Sequence, residues 1–543
     1  MPKKQVLKQT ERSQGRVFAK VDKWQGNIAR VLVILILCVQ PLYVNWDGYG
    51  QLTGHKFWFF LIYMVCIIIA VICIWVYRMK STPRVLIQER LSYFEWAILG
   101  FAVVTLISAL FSPFRDQVNV WTGVPEPYGR YDGAITQILY VVAFFIVYRW
   151  YKPRVRDFVV FGTSAVLVGF IGIIQFFGLD PLGLWPQHIP EYWVPNFYHI
   201  PFRSTLGNVN IVSTYVCVAI LLCGFLYIRY DPTSIPKGSG KSDIKWRQPL
   251  WLAGSALCFW LMDLAGSDSG LVGVVVATFL AIPFIIESRK TLGRFLILVS
   301  TWVTVFALQR LFYQAMVLGT RSPGSLLPYF AVAAFMLAAG VLLTKWGKEP
   351  DLEAPVQWKL GVIMIVACVA VGLIGVEVLG RQVSADGFAG RVIIEARDIL
   401  HGNLRDEMGT NRVYIWRNAL SVVPNHPIIG SGPDTFLHAF PPDAHMFYGE
   451  PYDKAHNEYI QILVCQGIIG LLCYLVFIGG VFAKGITKPF RNPLVMAVLA
   501  AFVGYCVQAF FNISVPIASQ MLWVAAGMLA SKRFRETPLA ELA

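Results

Sequence analysis

Charge is scarce in this chain: Asp, Glu, Lys and Arg make up only 14% of its 543 residues, against 56% hydrophobic residues. Such a balance excludes a soluble protein of several domains. The ten cysteines all fall inside apolar runs, so there is neither a disulfide framework nor a metal-binding spacing. No internal repeat is present, and the one low-complexity tract is the short Pro/Gly/Ser segment Asp231 to Lys241. No small-residue cleavage site follows the first apolar run, which is therefore expected to be a retained helix and not a signal peptide.

What the chain does have is apolar runs, near 29–44, 57–77, 94–111, 134–148, 157–177, 211–228, 250–265, 270–286, 295–314, 327–344, 360–380, 457–482, 493–511 and 515–531. Their lengths approach or reach the thickness of a bilayer. They predict an all-α polytopic membrane protein with about 12–14 transmembrane helices and one large, mostly helical extracytoplasmic loop. The expected organisation is a basic tail at 1–28, an N-terminal membrane region at 29–380, the large loop at 381–455, C-terminal membrane helices at 456–531 and a second tail at 532–543.

Most of the 46 lysines and arginines lie on one side of this topology, for example in Arg78 to Arg90, Arg149 to Arg156 and Lys532 to Arg535. The positive-inside rule places that side, with both termini, in the cytoplasm. The formal charge of +14 is then a topological signature with no nucleic-acid partner, and the tail at 1–28 is expected on the anionic inner leaflet.

Histidine is absent from the inner side. All eight (His55, His188, His199, His401, His426, His438, His445 and His456) fall on the outer side. Lysine is nearly absent there, at Lys56 and Lys454 only, whereas arginine recurs. Imidazole titrates near neutral pH and can take a proton from a hydroxyl; the arginine fork binds phosphate oxygens and stays charged. Together they suggest chemistry on a phosphorylated substrate at the outer leaflet, such as a lipid-linked sugar diphosphate. The plainer reading of any one arginine is a solvated loop or a lipid head-group contact.

Four patterns carry this chemistry. Gly129-Arg130-Tyr131-Asp132-Gly133 precedes a span and is pinned by glycine turns; Asp132 is available to pair with Arg130. Arg203-Ser204-Thr205-Leu206-Gly207-Asn208-Val209-Asn210 leads into the next span, where N–H groups at a helix start can join Arg203 in holding an anion. Arg412 to Val423 places Val413, Trp416, Leu420 and Val423 as the stripe of an amphipathic helix. Arg412 and Arg417, five residues apart and so rotated by about 140°, cannot both serve one small target, and Arg412 is preferred. His426 follows in a Pro- and Gly-rich turn and suits a structural hydrogen bond. The fourth pattern is Lys454-Ala455-His456-Asn457-Glu458-Tyr459, where the chain re-enters the membrane and parks His456 at its surface, ahead of Gly467-Ile468-Ile469-Gly470, whose glycines allow close helix packing. Asn457 suits a helix cap or a substrate contact, and Glu458 a head-group or arginine partner. Outer aromatics such as Trp185, Trp193, Tyr448 and Tyr452 fit either sugar stacking or the interfacial belt.

His456-Asn457 with Gly467-x-x-Gly470, preceded by Arg412, Trp416, His426-Pro427 and Gly430-x-Gly432-Pro433, resembles the bacterial O-antigen ligase and O-antigen polymerase superfamily, which also includes protein O-oligosaccharyltransferases. The likeness covers 410–475 closely and Gly207-Asn208-x-Asn210 more loosely. It implies a transferase that moves a glycan from undecaprenyl diphosphate to an acceptor hydroxyl on a glycan, lipid or protein. It implies His456 as general base, outer arginines (Arg203, Arg412, Arg130) on the diphosphate, and no metal or other cofactor. The chain departs from the family at Asn208-Val209-Asn210, where Asn-Pro-Asn is common, and at Asp268-Ser269-Gly270, where Ser-Arg-Gly is expected. The competing classes are a lipid-linked glycan flippase and a non-catalytic envelope-assembly protein. Neither requires a histidine at that interface, and the ionisable Asp263, Arg310 and Glu377 lie toward span ends and not at the midplane a transporter uses.

Overall fold

The computed structural model describes residues 2–81, 90–125, 129–185, 202–230, 246–316, 326–348, 357–382, 388–444, 452–486 and 492–537. Every apolar run named above becomes helical. In chain order the long helices are α1 (Pro2–Ile34), α2 (Leu52–Ser81), α3 (Tyr93–Leu110), α4 (Ala134–Trp150), α5 (Val155–Phe176), α6 (Val209–Arg229), α7 (Arg247–Ala265), α8 (Asp268–Leu280), α9 (Arg289–Met316), α10 (Leu327–Trp346), α11 (Trp358–Leu379), α12 (Phe388–Leu400), α13 (Met408–Val422), α14 (Glu458–Ile486), α15 (Pro493–Gln508) and α16 (Gln520–Ala530). Among the described residues ten helical segments are long and apolar enough to cross a membrane, and α4, α8 and α16 are shorter apolar helices. The chain is an all-α multi-pass membrane protein. Among the described residues the only strands are the two-residue pairs β1 (Phe202–Arg203) and β2 (Gly207–Asn208), antiparallel with Arg203 opposite Gly207.

Two expectations change. The basic tail at 1–28 is the first part of α1, continuous with the first span. The run at 270–286 is not one helix: α8 stops at Leu280 and a single turn, Ile282–Ile285, follows with Pro283 near its start. Proline cannot donate the backbone bond that continuation needs.

The core is built around α6, in which every residue from Ile211 to Arg229 is buried. It is enclosed by α7, α8 and α15, and a buried apolar cluster runs from it through α4, α5, α14 and α16. At the opposite extreme α10 and α11 lie at the margin; α10 meets α9 where Gly293 and Gly340 allow the backbones to touch, the small-residue contact that substitutes for a hydrophobic drive inside lipid. Within 381–455, α12 and α13 make the loop largely helical.

The glycine expected to aid packing in α14 has a different task. Gly467 adopts φ 69°, ψ −173°, a conformation essentially confined to glycine, and breaks the helix. A break orphans backbone groups on both sides, and the turn 427–432 supplies their partners. The N–H of Ile468 donates to Pro427 O (2.9 Å) and that of Ile469 to Ile428 O (3.3 Å), while the N–H groups of Ser431 and Gly432 donate to Val464 O (2.9 Å) and Cys465 O (3.0 Å). Gly430 makes the approach possible, since a Cβ there would stand 2.3 Å from the Cys465 carbonyl carbon. From α3, Ser108 donates to Cys465 O (2.8 Å) and the following Ser112 to Ser431 O (2.5 Å). The Pro427, Gly430, Gly432 and Gly467 positions of the motif therefore form one plugged break. Gly467→Ala is expected to cost about 1–3 kcal/mol in backbone strain, plus a clash with Ile428 O 2.3 Å from the new methyl. Wild-type thermal unfolding of that variant in detergent would refute the plug.

Candidate active site

The break fixes the N-terminal half of α14, and the residues before that helix form the site. Lys454 is 1% exposed and its Nζ lies 3.0 Å from an Asp132 carboxylate oxygen and 2.9 Å from one of Asp434. Asp434, itself at φ 59°, accepts from the backbone N–H groups of Val124 (2.8 Å), Arg130 (3.2 Å) and Asp132 (3.3 Å). It thus clamps the turn Gly129–Gly133, in which a Cβ at Gly133 would come within 2.3 Å of Gly123 N. Arg130 Nε donates to Asp453 (2.5 Å). The pairing anticipated between Asp132 and Arg130 is replaced by Lys454 with Asp132 and Arg130 with Asp453. Burial pushes Asp132 up to about 6 in spite of Lys454 and with the help of Asp434. For Lys454 burial works downward, but Asp132 and Asp434 outweigh it and hold the ammonium above its ordinary value. Asp453 is raised by burial against the pull of Arg130 and Lys454.

This network anchors Asp453 and Lys454, the two residues before Ala455, and the strain appears just after it. His456 has φ 49°, the left-handed region that a non-glycine residue adopts at some cost. Its ring is half-buried, and its Nδ1 is enclosed without a hydrogen-bond partner among the described residues. Burial, then the charges of Arg412 and Arg130, bring the imidazole down to about 3, so it is neutral at physiological pH.

Asn457 caps α14: its side-chain oxygen accepts from the N–H groups of Tyr459 and Ile460, both at 3.0 Å. That use fixes the amide, and its Nδ2 is left buried with no partner among the described residues. Among the described residues Glu458 is paired with tyrosines and not with an arginine. It is buried and accepts from the hydroxyls of Tyr474 (2.6 Å) and Tyr505 (3.1 Å).

Arg412 reaches the site by an unusual entry. Gly409, Thr410 and Asn411 are all left-handed, with φ between 56° and 65°, and regular α13 begins only after them. The Arg412 guanidinium donates to Gly409 O (2.6 Å), Thr410 Oγ1 (2.7 Å) and, from across the bundle, Phe511 O (3.0 Å). Burial lowers it and Asp268 counters that. In the segment where the resemblance leads one to expect Ser-Arg-Gly, this chain thus has Ser269 at the arginine position and, one residue before it, the Asp268 carboxylate in the field of Arg412. One residue beyond Phe511, the Asn512 amide donates to Asn210 O (2.8 Å), Thr214 Oγ1 (3.1 Å), Ser269 Oγ (3.1 Å) and Gln508 Oε1 (2.9 Å). The starts of α6 and α8 are tied in this way to the segment that Arg412 grips.

The remaining sequence candidates separate. Arg203 is 1% exposed, in the β1–β2 hairpin, beside Tyr49; Tyr49 donates to Ser204 O (2.6 Å). Asn208 caps α6 by accepting from Asn210 N (2.9 Å), and Asn210 Oδ1 accepts from Ser267 (3.3 Å), so the Asn210 N–H and both amide oxygens at that helix start are already engaged. Arg417 points outward and pairs with Asp406 at 2.7 Å. His426 lies in the turn that plugs α14, its N–H on Val423 O (3.1 Å) and its carbonyl accepting from Gly430. The stripe expected on α13 is shifted: Ile415 and Ala419 are buried, whereas Leu420 is exposed, because small Ala419 is what lets α13 approach Ala455 and Val464. Of the other histidines, His55 pairs with Asp47 (3.0 Å) and His401 stands 3.7 Å from Glu377; His188, His199 and His445 lie outside the described residues, as do Trp193, Tyr448 and the 231–241 tract. Sequence reasoning found no partners for Lys454, Asp434 or Asp453 and gave no role to Asn512. The one available signal was that Lys454 is a rare outer lysine beside His456.

No curated protein matches this chain. Residues 310–475 match the family model described as O-antigen ligase, a stretch that takes in Arg412, the plugged break, Lys454, His456 and Asn457. That match supports glycosyl transfer of the O-antigen ligase type and agrees with the resemblance to the O-antigen ligase and polymerase superfamily.

Proposed function

We propose that the chain transfers a glycan from undecaprenyl diphosphate to an acceptor hydroxyl at the outer face of a bacterial cytoplasmic membrane, with both termini inside. The carrying observation is a strained, neutral His456 with an unpartnered enclosed nitrogen, in the field of Arg412 and Arg130. His456 takes the proton of the acceptor hydroxyl as the new bond to the anomeric carbon forms. The bond from that carbon to the diphosphate oxygen breaks, and the diphosphate leaves with the electron pair. Single displacement inverts the anomeric centre.

Charge grows on the leaving diphosphate in the transition state, where preorganised cations act most strongly. Arg412 is the first candidate because its own partners are carbonyl and hydroxyl oxygens, which a diphosphate can replace. Arg130 joins it if the diphosphate draws it from Asp453. Arg203, enclosed in its hairpin, comes third. With arginines on the leaving group the step needs no metal, and it is expected to proceed in excess EDTA. The test is transfer by the purified chain from an undecaprenyl-diphosphate glycan to varied acceptors. Absence of transfer to all of them, with the lipid-linked glycan crossing the bilayer instead, would replace this reading by a flippase.

Asn457 belongs to the same reading, with its oxygen on the helix and its buried Nδ2 offered to a substrate oxygen. Asn457→Asp keeps an oxygen for the cap but replaces the donor by an acceptor. Transfer is expected to fall by about 10- to 100-fold, the scale of one lost buried hydrogen bond, at near wild-type melting temperature. Asn457→Ser, which adds no charge, is the check on folding. Wild-type transfer by a folded Asn457→Asp protein would reduce Asn457 to a cap alone.

A further inference from the structure

The end of the bundle away from His456 contains a cavity of about 950 Å³, within the size range of small-molecule sites. Two helices connect it to the candidate active site. α14 begins after His456 and carries Lys484 near its far end, roughly 40 Å away at 1.5 Å per residue; α4 begins after Asp132 and ends at Arg149 and Trp150.

The cavity wall is strongly basic. Seven cations line it against two carboxylates, Asp22 and Glu536, and nearby Glu95 accepts from Arg149 (2.5 Å). Even with Glu95 counted, positive charge exceeds negative by four among the described residues. The positive-inside rule explains basic loops on this side, but not their assembly around a hollow. Asp22 of α1 accepts from Lys152, between α4 and α5, and from Arg533, after α16, at 2.8 Å. One carboxylate therefore ties three distant segments into a wall, while Phe94 and Tyr148 supply apolar surface. Arg154, from the same connection as Lys152, and Lys484 of α14 complete the basic lining.

We propose that this cavity binds a phosphate-bearing anion with at least two negative charges, or the phosphate of an anionic lipid head group entering from the adjacent leaflet. Several convergent cations act together on such a group, through charge-assisted bonds stronger than neutral ones, in a concave site that screens them less than open water does. This site is independent of the glycosyl-transfer reading and requires only the described geometry.

The test uses the full chain in nanodiscs. Native mass spectrometry reads retention of phosphatidylglycerol over phosphatidylcholine, and calorimetry in phosphatidylcholine nanodiscs reads binding of inorganic pyrophosphate. Arg154→Gln with Lys484→Gln removes two cavity cations; Arg78→Gln with Lys80→Gln removes two charges from the nearby end of α2, outside the cavity lining. Wild type is expected to hold one or both probes, the cavity variant to bind at least about tenfold more weakly, and the outside variant to bind as wild type. Selective phosphatidylglycerol retention identifies the lipid source, and pyrophosphate binding the soluble one. Binding of neither probe, or equal weakening in both variants, would overturn the proposal. If the double variant fails to fold, exposed Arg154→Gln alone is read against Arg78→Gln.

Discussion

His456→Ala is expected to lower transfer by about 10²- to 10⁴-fold, the usual contribution of a positioned general base, with membrane insertion and melting behaviour preserved. The pH profile makes this expectation more specific. Burial and the two arginines bring the imidazole down to about 3 in the unliganded site, so the free enzyme carries a neutral but weak base. A bound diphosphate cancels the charge of Arg412 and Arg130, and the imidazole must then rise, becoming a stronger base only when the donor is in place. The acid limb of kcat/KM, which reports the free enzyme, should therefore lie at lower pH than the acid limb of kcat. Arg412→Gln, which removes a positive charge, should move the kcat/KM limb upward. Stability carries the same sign. His456 is depressed from 6.5, so its contribution is complete above about 6.5 and is lost as pH falls toward 3. His456→Ala should lack that part of the acid sensitivity. Equal transfer by wild type and His456→Ala would remove the histidine from the chemistry.

The membrane-spanning helices are legible because a bilayer demands long apolar runs. His456 was legible for a related reason: the re-entry into an apolar run is visible, and an Asn just before it marks a helix start. What the sequence concealed are interactions made by backbone or between distant segments. Gly467 reads as a packing glycine because nothing in its side chain, or in those of 427–432, announces that the two backbones will pair. Lys454 finds Asp132 and Asp434 322 and 20 residues away in the chain, and no periodicity connects them. The α13 stripe misled for a different cause. The large apolar residues were taken as the buried face, yet close approach to Ala455 and Val464 selects small Ala419, and Leu420 is left on the surface. Arg203 seemed the best phosphate ligand from its place before a helix, and only the hairpin at Phe202–Asn208 shows how deeply it is enclosed.

Lys454→Met is expected to destabilise the protein by about 3–5 kcal/mol, the cost of leaving buried charge without its partner. Lys454 alone among the described cations lies within 3.0 Å of both Asp132 and Asp434, and its loss leaves two carboxylates facing each other in a buried place. The loss should depend on pH in a defined direction. Asp132 already stands near 6 with Lys454 present, and without the ammonium it rises further. Below about pH 6 Asp132 is protonated in the folded variant and the added penalty is small; it grows as pH rises above about 6. Melting curves of wild type and variant in nanodiscs at pH 5 and pH 8 should therefore differ more at the higher pH. A constant difference would mean that Lys454 acts through packing and not charge. Asp434→Asn separates the two duties of that carboxylate. Its amide oxygen keeps an acceptor for the N–H groups of Val124, Arg130 and Asp132 while the negative charge facing Lys454 is halved, so a mild loss of stability with a large loss of transfer would indicate that the network serves to hold His456 in its left-handed conformation. The same network then links the 129–133 turn to the segment that carries the base, since Asp434 touches both that turn and Lys454, two residues before His456.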